Sequence, residues 1–144
     1  MNAARKLLRR EVFAERVFDR EEGRCAFCGA RAVDAHHILE RRLFADGGYY
    51  VDNGAAVCTV HHWECEMTTL SCEQVRDACR ILVPVLPPGW NAFARWDKWG
   101  NRLLDNGQRI AGPLMHDEGA RRALARGGVL HLVRPARGAE GEMK

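Results

Sequence analysis

Between Cys25 and His62 the chain concentrates residue types that bind metal ions and move protons. The run reads Cys25-Ala-Phe-Cys28, Asp34-Ala-His36-His37-Ile38, Asn53, and Cys58-Thr-Val-His61-His62. Cys25, Cys28, Cys58 and His61 fit one closed tetrahedral zinc site, because zinc takes thiolate and imidazole and structural sites are closed by four such ligands. The pattern is C-x2-C, a long insert, then C-x2-H. One C-x2-C pair alone says little, whereas two such pairs in a small chain point to zinc. His36, His37, Asn53 and His62 are left over, and phosphodiester hydrolysis needs these residue types. A neutral imidazole accepts a proton from water near neutral pH. A divalent ion polarises the phosphate and stabilises the departing oxygen.

The elements that must carry these residues follow from the surrounding pattern. Leu7, Leu8, Val12, Phe13 and Val17 recur near helical spacing and predict a helix over 5–22, with Gly23 as its stop. Cys25 to Gly29 reads as a knuckle-like turn, with Gly29 free to take a positive φ. A short strand is expected over 32–39 and another over 55–58, separated by the loop signals Asp46-Gly-Gly and Asp52-Asn-Gly. A helix starts near Thr59. On a strand, neighbouring side chains face opposite ways, so His36 and His37 should not share one ion: one ligates and the other activates water. His62 follows His61 on the helix and points elsewhere, towards the hairpin. Ser71-Cys-Glu-Gln74 resembles a capping box for a helix ending near Ile81.

Composition sets the frame. The 144 residues, 47% hydrophobic, suffice for one small core or a core with an appendage. There is no apolar run of about 18 residues to span a membrane. Residues 1–10 are basic but lack the apolar stretch of a secretory leader. Cysteines paired as C-x2-C without such a leader favour metal in a reducing cytoplasm over disulfides. The remaining Cys65, Cys72 and Cys79 are expected to be quiet buried thiols. The net charge of +3 is unevenly spread: residues 25–80 carry five Lys/Arg against eight Asp/Glu, while both flanks are net basic. Basic arms around an acidic metal region suit a polyanion, and an ordinary solvated surface is the plainer alternative.

The order, spacing and type of these residues resemble the HNH endonucleases, the ββα-metal or His-Me finger nucleases. His37, Asn53 and His62 stand at the H, N and H of that motif. Cys25, Cys28, Cys58 and His61 match the paired ligands of the zinc-containing branch. The likeness covers roughly residues 10–70. It implies an α+β fold: a small ββα-metal core stapled by structural zinc, with an N-terminal helix. It also implies a metal-dependent nuclease acting on DNA. His37 would be the general base, and His36 and His62 would hold a catalytic Mg²⁺ or Mn²⁺. Asn53 would either join them as a ligand or brace the loop. Arg41 and Arg42 follow the catalytic strand, where they could touch phosphates or simply face solvent. A single site of this kind cuts one strand, so cutting both requires a homodimer or two successive nicks. Ending the second zinc pair in His61, and the insert from Leu43 to Asp52, depart from the commoner pattern. That insert either tunes substrate preference or is a loop with packed tyrosines.

The nuclease domain is expected over 1–82 and an α/β appendage over 83–134, after the break at Pro84, Pro87, Pro88 and Gly89. The appendage should hold a hairpin turning at Asp105-Asn-Gly107, a helix capped by Asp117 and a strand over 129–133. Residues 135–144 read as a disordered tail. Trp90, Trp96 and Trp99 interleave with Arg95, Lys98 and Arg102, a pattern that can stack bases but here more readily packs the appendage. This segment resembles small stand-alone HNH proteins of phages and bacteria. The rival reading is a zinc-stabilised nucleic-acid-binding adaptor without catalysis, or a subunit of a larger defence or recombination assembly.

Overall fold

A computed structural model describes residues 6–136. The first helix, α1 (Arg10–Arg20), turns Phe13 and Val17 inward and its charged residues outward. It is shorter than the predicted 5–22, of which residue 5 lies outside the described residues. The helix stops where expected, but by two residues. Glu22 and Gly23 both take left-handed φ, 56° and 74°. Their amides return to Asp19 O and Phe18 O at 3.1 and 2.9 Å, the paired bonds of a Schellman ending.

Strands β1 (Asp34–His37) and β2 (Gly54–Val57) form an antiparallel pair. In its register His36 faces Ala55 and His37 faces Gly54. Helix α1 lies on this pair. A side chain on Gly54 would sit 2.5 Å from Val17 Cγ2 and 2.7 Å from the Phe13 ring, so only glycine admits the helix this close. Arg20 fastens the contact by donating to Val51 O and Gly54 O. Helix α2 (Thr59–Glu66) follows β2 after one residue. Helix α3 (Cys72–Ala78) has the predicted capping box between Ser71 and Gln74, and ends three residues before Ile81.

The rest of the described chain forms a four-stranded sheet in the order β3 (Arg95–Trp96), β4 (Arg102–Leu103), β5 (Arg109–Ile110), β6 (Val133–Arg134), with only β5 and β6 parallel. Helix α4 (Glu118–Arg126) is capped by Asp117, whose side chain accepts from the Ala120 amide. The strand expected over 129–133 is instead a 3-10 turn at Leu130–Leu132 leading into β6, because the Leu132 amide closes back on Val129 O. Residues 137–144, most of the expected tail, lie outside the described residues.

The division expected after residue 82 runs through the principal core. That core joins Ile38, Leu39, Val57, Cys65, Cys72, Val75 and Cys79 to Ile81 and Val85, with Trp90 and Trp96 packed against it. Trp90 and Trp96 lie 4.3 Å apart between centroids, and buried Trp99 belongs to a second core with Leu124. These tryptophans pack the protein rather than offering free faces to bases. All six cysteines are unpaired, and Cys65, Cys72 and Cys79 are buried as expected. The molecule is thus a small α+β fold. No helix among the described residues is long and apolar enough to cross a membrane.

Candidate functional site

The knuckle after α1 brings Cys25 and Cys28 together. Gly29, at φ 75°, reverses the chain, and its amide bonds to Cys25 O at 3.0 Å. Cys58 precedes α2 and His61 lies in its first turn. The four ligand atoms all lie within 4.8 Å of one another. Cys28 Sγ and Cys58 Sγ are 3.8 Å apart; His61 Nδ1 is 3.6 Å from Cys25 Sγ and 3.2 Å from Cys58 Sγ. A zinc tetrahedron with bonds of about 2.3 Å to sulfur and 2.0–2.1 Å to nitrogen has edges of about 3.8 and 3.6 Å. The cluster is positioned to bind a metal ion and is compatible with zinc. The His61 backbone amide, with its ring, brings the Cys58 thiol down to about 6, towards the thiolate that binds metal. Phe27 stacks on the His61 ring at 5.2 Å and covers one side of it.

A second group forms where β1 meets α2. His36, His62 and Glu66 each present one donor atom within 4.8 Å of the others. His36 Nδ1 is 3.9 Å from Glu66 Oε2, and His62 Nε2 is 4.0 Å from Glu66 Oε1 and 3.3 Å from Asp34 Oδ2. His62 and Glu66 are four residues apart on α2 and therefore share a face. Burial, and next the Lys98 charge, hold the His36 pKa well below the ordinary histidine range. Its ring is neutral, with a lone pair available.

His37 points the other way, as strand alternation requires. Its ring stacks on Phe13 at 4.7 Å and meets Tyr49 edge-on at 5.0 Å. Its Nε2 is buried with no hydrogen-bond partner, so stacking rather than hydrogen bonding orients the ring. Burial, followed by Lys98, lowers its pKa to about 4, so the ring is neutral near pH 7 and a weaker base than a free imidazole. Tyr49 comes from the insert between the strands, which is a loop of packed tyrosines: Tyr50 meets the Phe44 ring and donates to Asp46.

Of the two roles open to Asn53 one is taken, and Arg42 is placed otherwise than towards phosphates. Asn53 is 1% exposed. Its Oδ1 accepts from the Leu39 amide at 3.0 Å, and its Nδ2 donates to Leu39 O and Gly48 O at 3.1 and 3.3 Å. Every polar atom of the side chain is engaged by backbone, so Asn53 braces the loop and is not a ligand beside His36 and His62. Arg42 is held by Asp117 at 3.0 Å and by Glu40 at 3.4 Å. It ties the loop after β1 to the start of α4 rather than facing the cleft. Arg41 does line the cleft.

The cleft has a volume of about 350 Å³. Its wall contains His36, His37, His62 and Glu66, with Arg10, Arg41 and Lys98 as the cations. Glu66 and Lys98 were not singled out from sequence as site residues. Glu66 was within reach of such a reading, because it stands one helical turn beyond His62. Lys98 carried no local signal, since only the tertiary fold brings it here. No protein-family model, no curated protein and no solved structure matches the chain.

Proposed function

We propose that the protein is a metal-dependent endonuclease of the HNH type, cutting phosphodiester bonds in DNA. One observation carries the reading. Adjacent His36 and His37 part at the end of β1, the first into a three-donor group and the second into the wall of the same cleft. An ion site and a free base on one short strand are what metal-assisted hydrolysis uses. In this reading β1, β2 and α2 form the ββα-metal core, and zinc held by Cys25, Cys28, Cys58 and His61 is structural, with no open position.

His37 takes a proton from water, and the oxygen of that water attacks phosphorus in line with the oxygen that leaves. Arg41 and Arg10 offer positive charge to the flanking phosphates. The divalent ion, held by His36, His62 and Glu66, would supply charge to stabilise the transition state. Two imidazoles and one carboxylate favour Mn²⁺ or a later transition metal over Mg²⁺, which prefers an all-oxygen shell.

The test is nicking of supercoiled plasmid with added Mn²⁺ or Mg²⁺. Wild type should nick. His37→Ala should be slower by about 10²- to 10⁴-fold, the usual contribution of a general base, with its zinc content unchanged. If wild type and His37→Ala nick alike, the assignment of His37 as the base is wrong; if neither nicks, the protein is instead a zinc-stabilised binding module.

A further inference from the structure

Lys98 is 6% exposed, unusual for a lysine. Its Nζ donates to the main-chain oxygen of His37 at 3.0 Å and lies 3.4 Å from Glu66 Oε2. Its own carbonyl accepts from the Glu40 amide at 3.0 Å. The lysine thus holds the end of β1 by side chain and backbone together, and faces α2 through Glu66.

The turn that delivers it is unusually well fixed. Asp97, 3% exposed, accepts from the amides of Trp99 and Asn101 through Oδ1. Its Oδ2 accepts from Asn101 Nδ2 and from Arg109, both at 2.9 Å. Trp99 Nε1 donates to Glu66 O at 2.8 Å, fastening the turn to the same residue that Lys98 faces. A buried, fully engaged carboxylate and amide are costly to assemble and, once satisfied, rigid. Here they place one ammonium between the base-bearing strand and the ligand-bearing helix.

We propose that Lys98 is a positioning residue of the cleft: it fixes the Glu66 carboxylate relative to the His37 main chain, and so sets the distance from ion to base. This rests on the nuclease reading for its catalytic consequence, though not for its effect on the ion site. The arrangement has a signature that a merely structural lysine lacks. A positive charge beside Glu66 repels a divalent ion even as it orders the ligand. Removing it should strengthen ion binding and weaken catalysis together.

The experiment compares wild type with Lys98→Met, which keeps the apolar stem, and Lys98→Arg. Zinc content reports folding, calorimetric titration with Mn²⁺ reports the second site, and plasmid nicking reports kcat and KM. Lys98→Met should bind Mn²⁺ on the order of tenfold more tightly. It should lose at least tenfold in kcat with KM for DNA little changed. Lys98→Arg should return Mn²⁺ affinity to the wild-type value and recover part of the kcat. Unchanged Mn²⁺ affinity in Lys98→Met, or weaker binding with zinc intact, overturns the proposal. If Lys98→Met does not fold, Lys98→Gln, which keeps a donor for the His37 carbonyl, takes its place with the same expected tightening. If wild type binds Mn²⁺ but never nicks, the nuclease reading fails, and the Mn²⁺ comparison alone decides whether Lys98 acts on the ion site.

Discussion

Asn53 braces the loop between the strands, and Glu66 stands with the histidines where a third ligand would. The amide, placed by motif beside the histidines, spends all its polar atoms on the backbone of Leu39 and Gly48. Truncating Asn53 to Ala leaves three backbone groups unpaired and should destabilise the protein by at least about 3 kcal/mol, at about 1–3 kcal/mol for each orphaned group. Urea unfolding measures this, and the folded fraction should still bind Mn²⁺ with wild-type affinity. Glu66→Gln should do the converse. It should weaken Mn²⁺ binding at least tenfold in calorimetry while leaving stability and zinc content near wild type. The Cys and His ligands were legible because their spacing is local and their chemistry narrow. A single glutamate among many has no such signal until the helix face beside His62 is known. Lys98 had none at all, being brought to His37 by packing over a long stretch of chain.

At the scale of elements, α2 distributes the chemistry. His61 turns into the cysteine cluster and His62 into the group with His36 and Glu66. Helix α1 bears on the other side of the strands, where its Phe13 is the platform for His37. The fit of helix to strand depends on the missing side chain at Gly54. Gly54→Ala forces α1 outward and should cost about 1–3 kcal/mol as an overpacked contact. Differential scanning calorimetry should show the lowered midpoint. Displacing Phe13 also loosens the stacking contact that helps orient His37, so nicking should fall by more than the loss of folded protein explains. The order of elements, the capping box and the cap at Asp117 were legible in sequence because each depends on residues a few positions apart. Strand β1 is shorter than the expected 32–39, since its pairing ends with the four-residue β2, and β2 keeps its expected length one residue earlier. The two-residue strands of the second sheet carry too few residues for any period to register.

At the scale of the whole molecule, the principal core crosses the proline-rich break and includes Cys25, beside the metal cluster, so metal and packing should fail together. Burial pushes the thiols of Cys65, Cys72 and Cys79 up to about 12, 12 and 11, and they should resist alkylation in the native state. Stripping the metal from Cys25, Cys28, Cys58 and His61 with a strong chelator should expose all six cysteines to iodoacetamide and abolish the cooperative thermal transition. Mass spectrometry of the labelled chain distinguishes this from release of only the three liganding thiols, which would mean a core that stands without its metal.

The hold of Lys98 on the His37 carbonyl also bears on how the protein is born. A ribosome releases every candidate metal ligand by Glu66, yet the turn from Asp97 to Asn101 emerges later, and its partner Arg109 later still. The nascent chain therefore carries a complete set of ligands, and all of the cleft's wall but Lys98, before the residue that braces them exists.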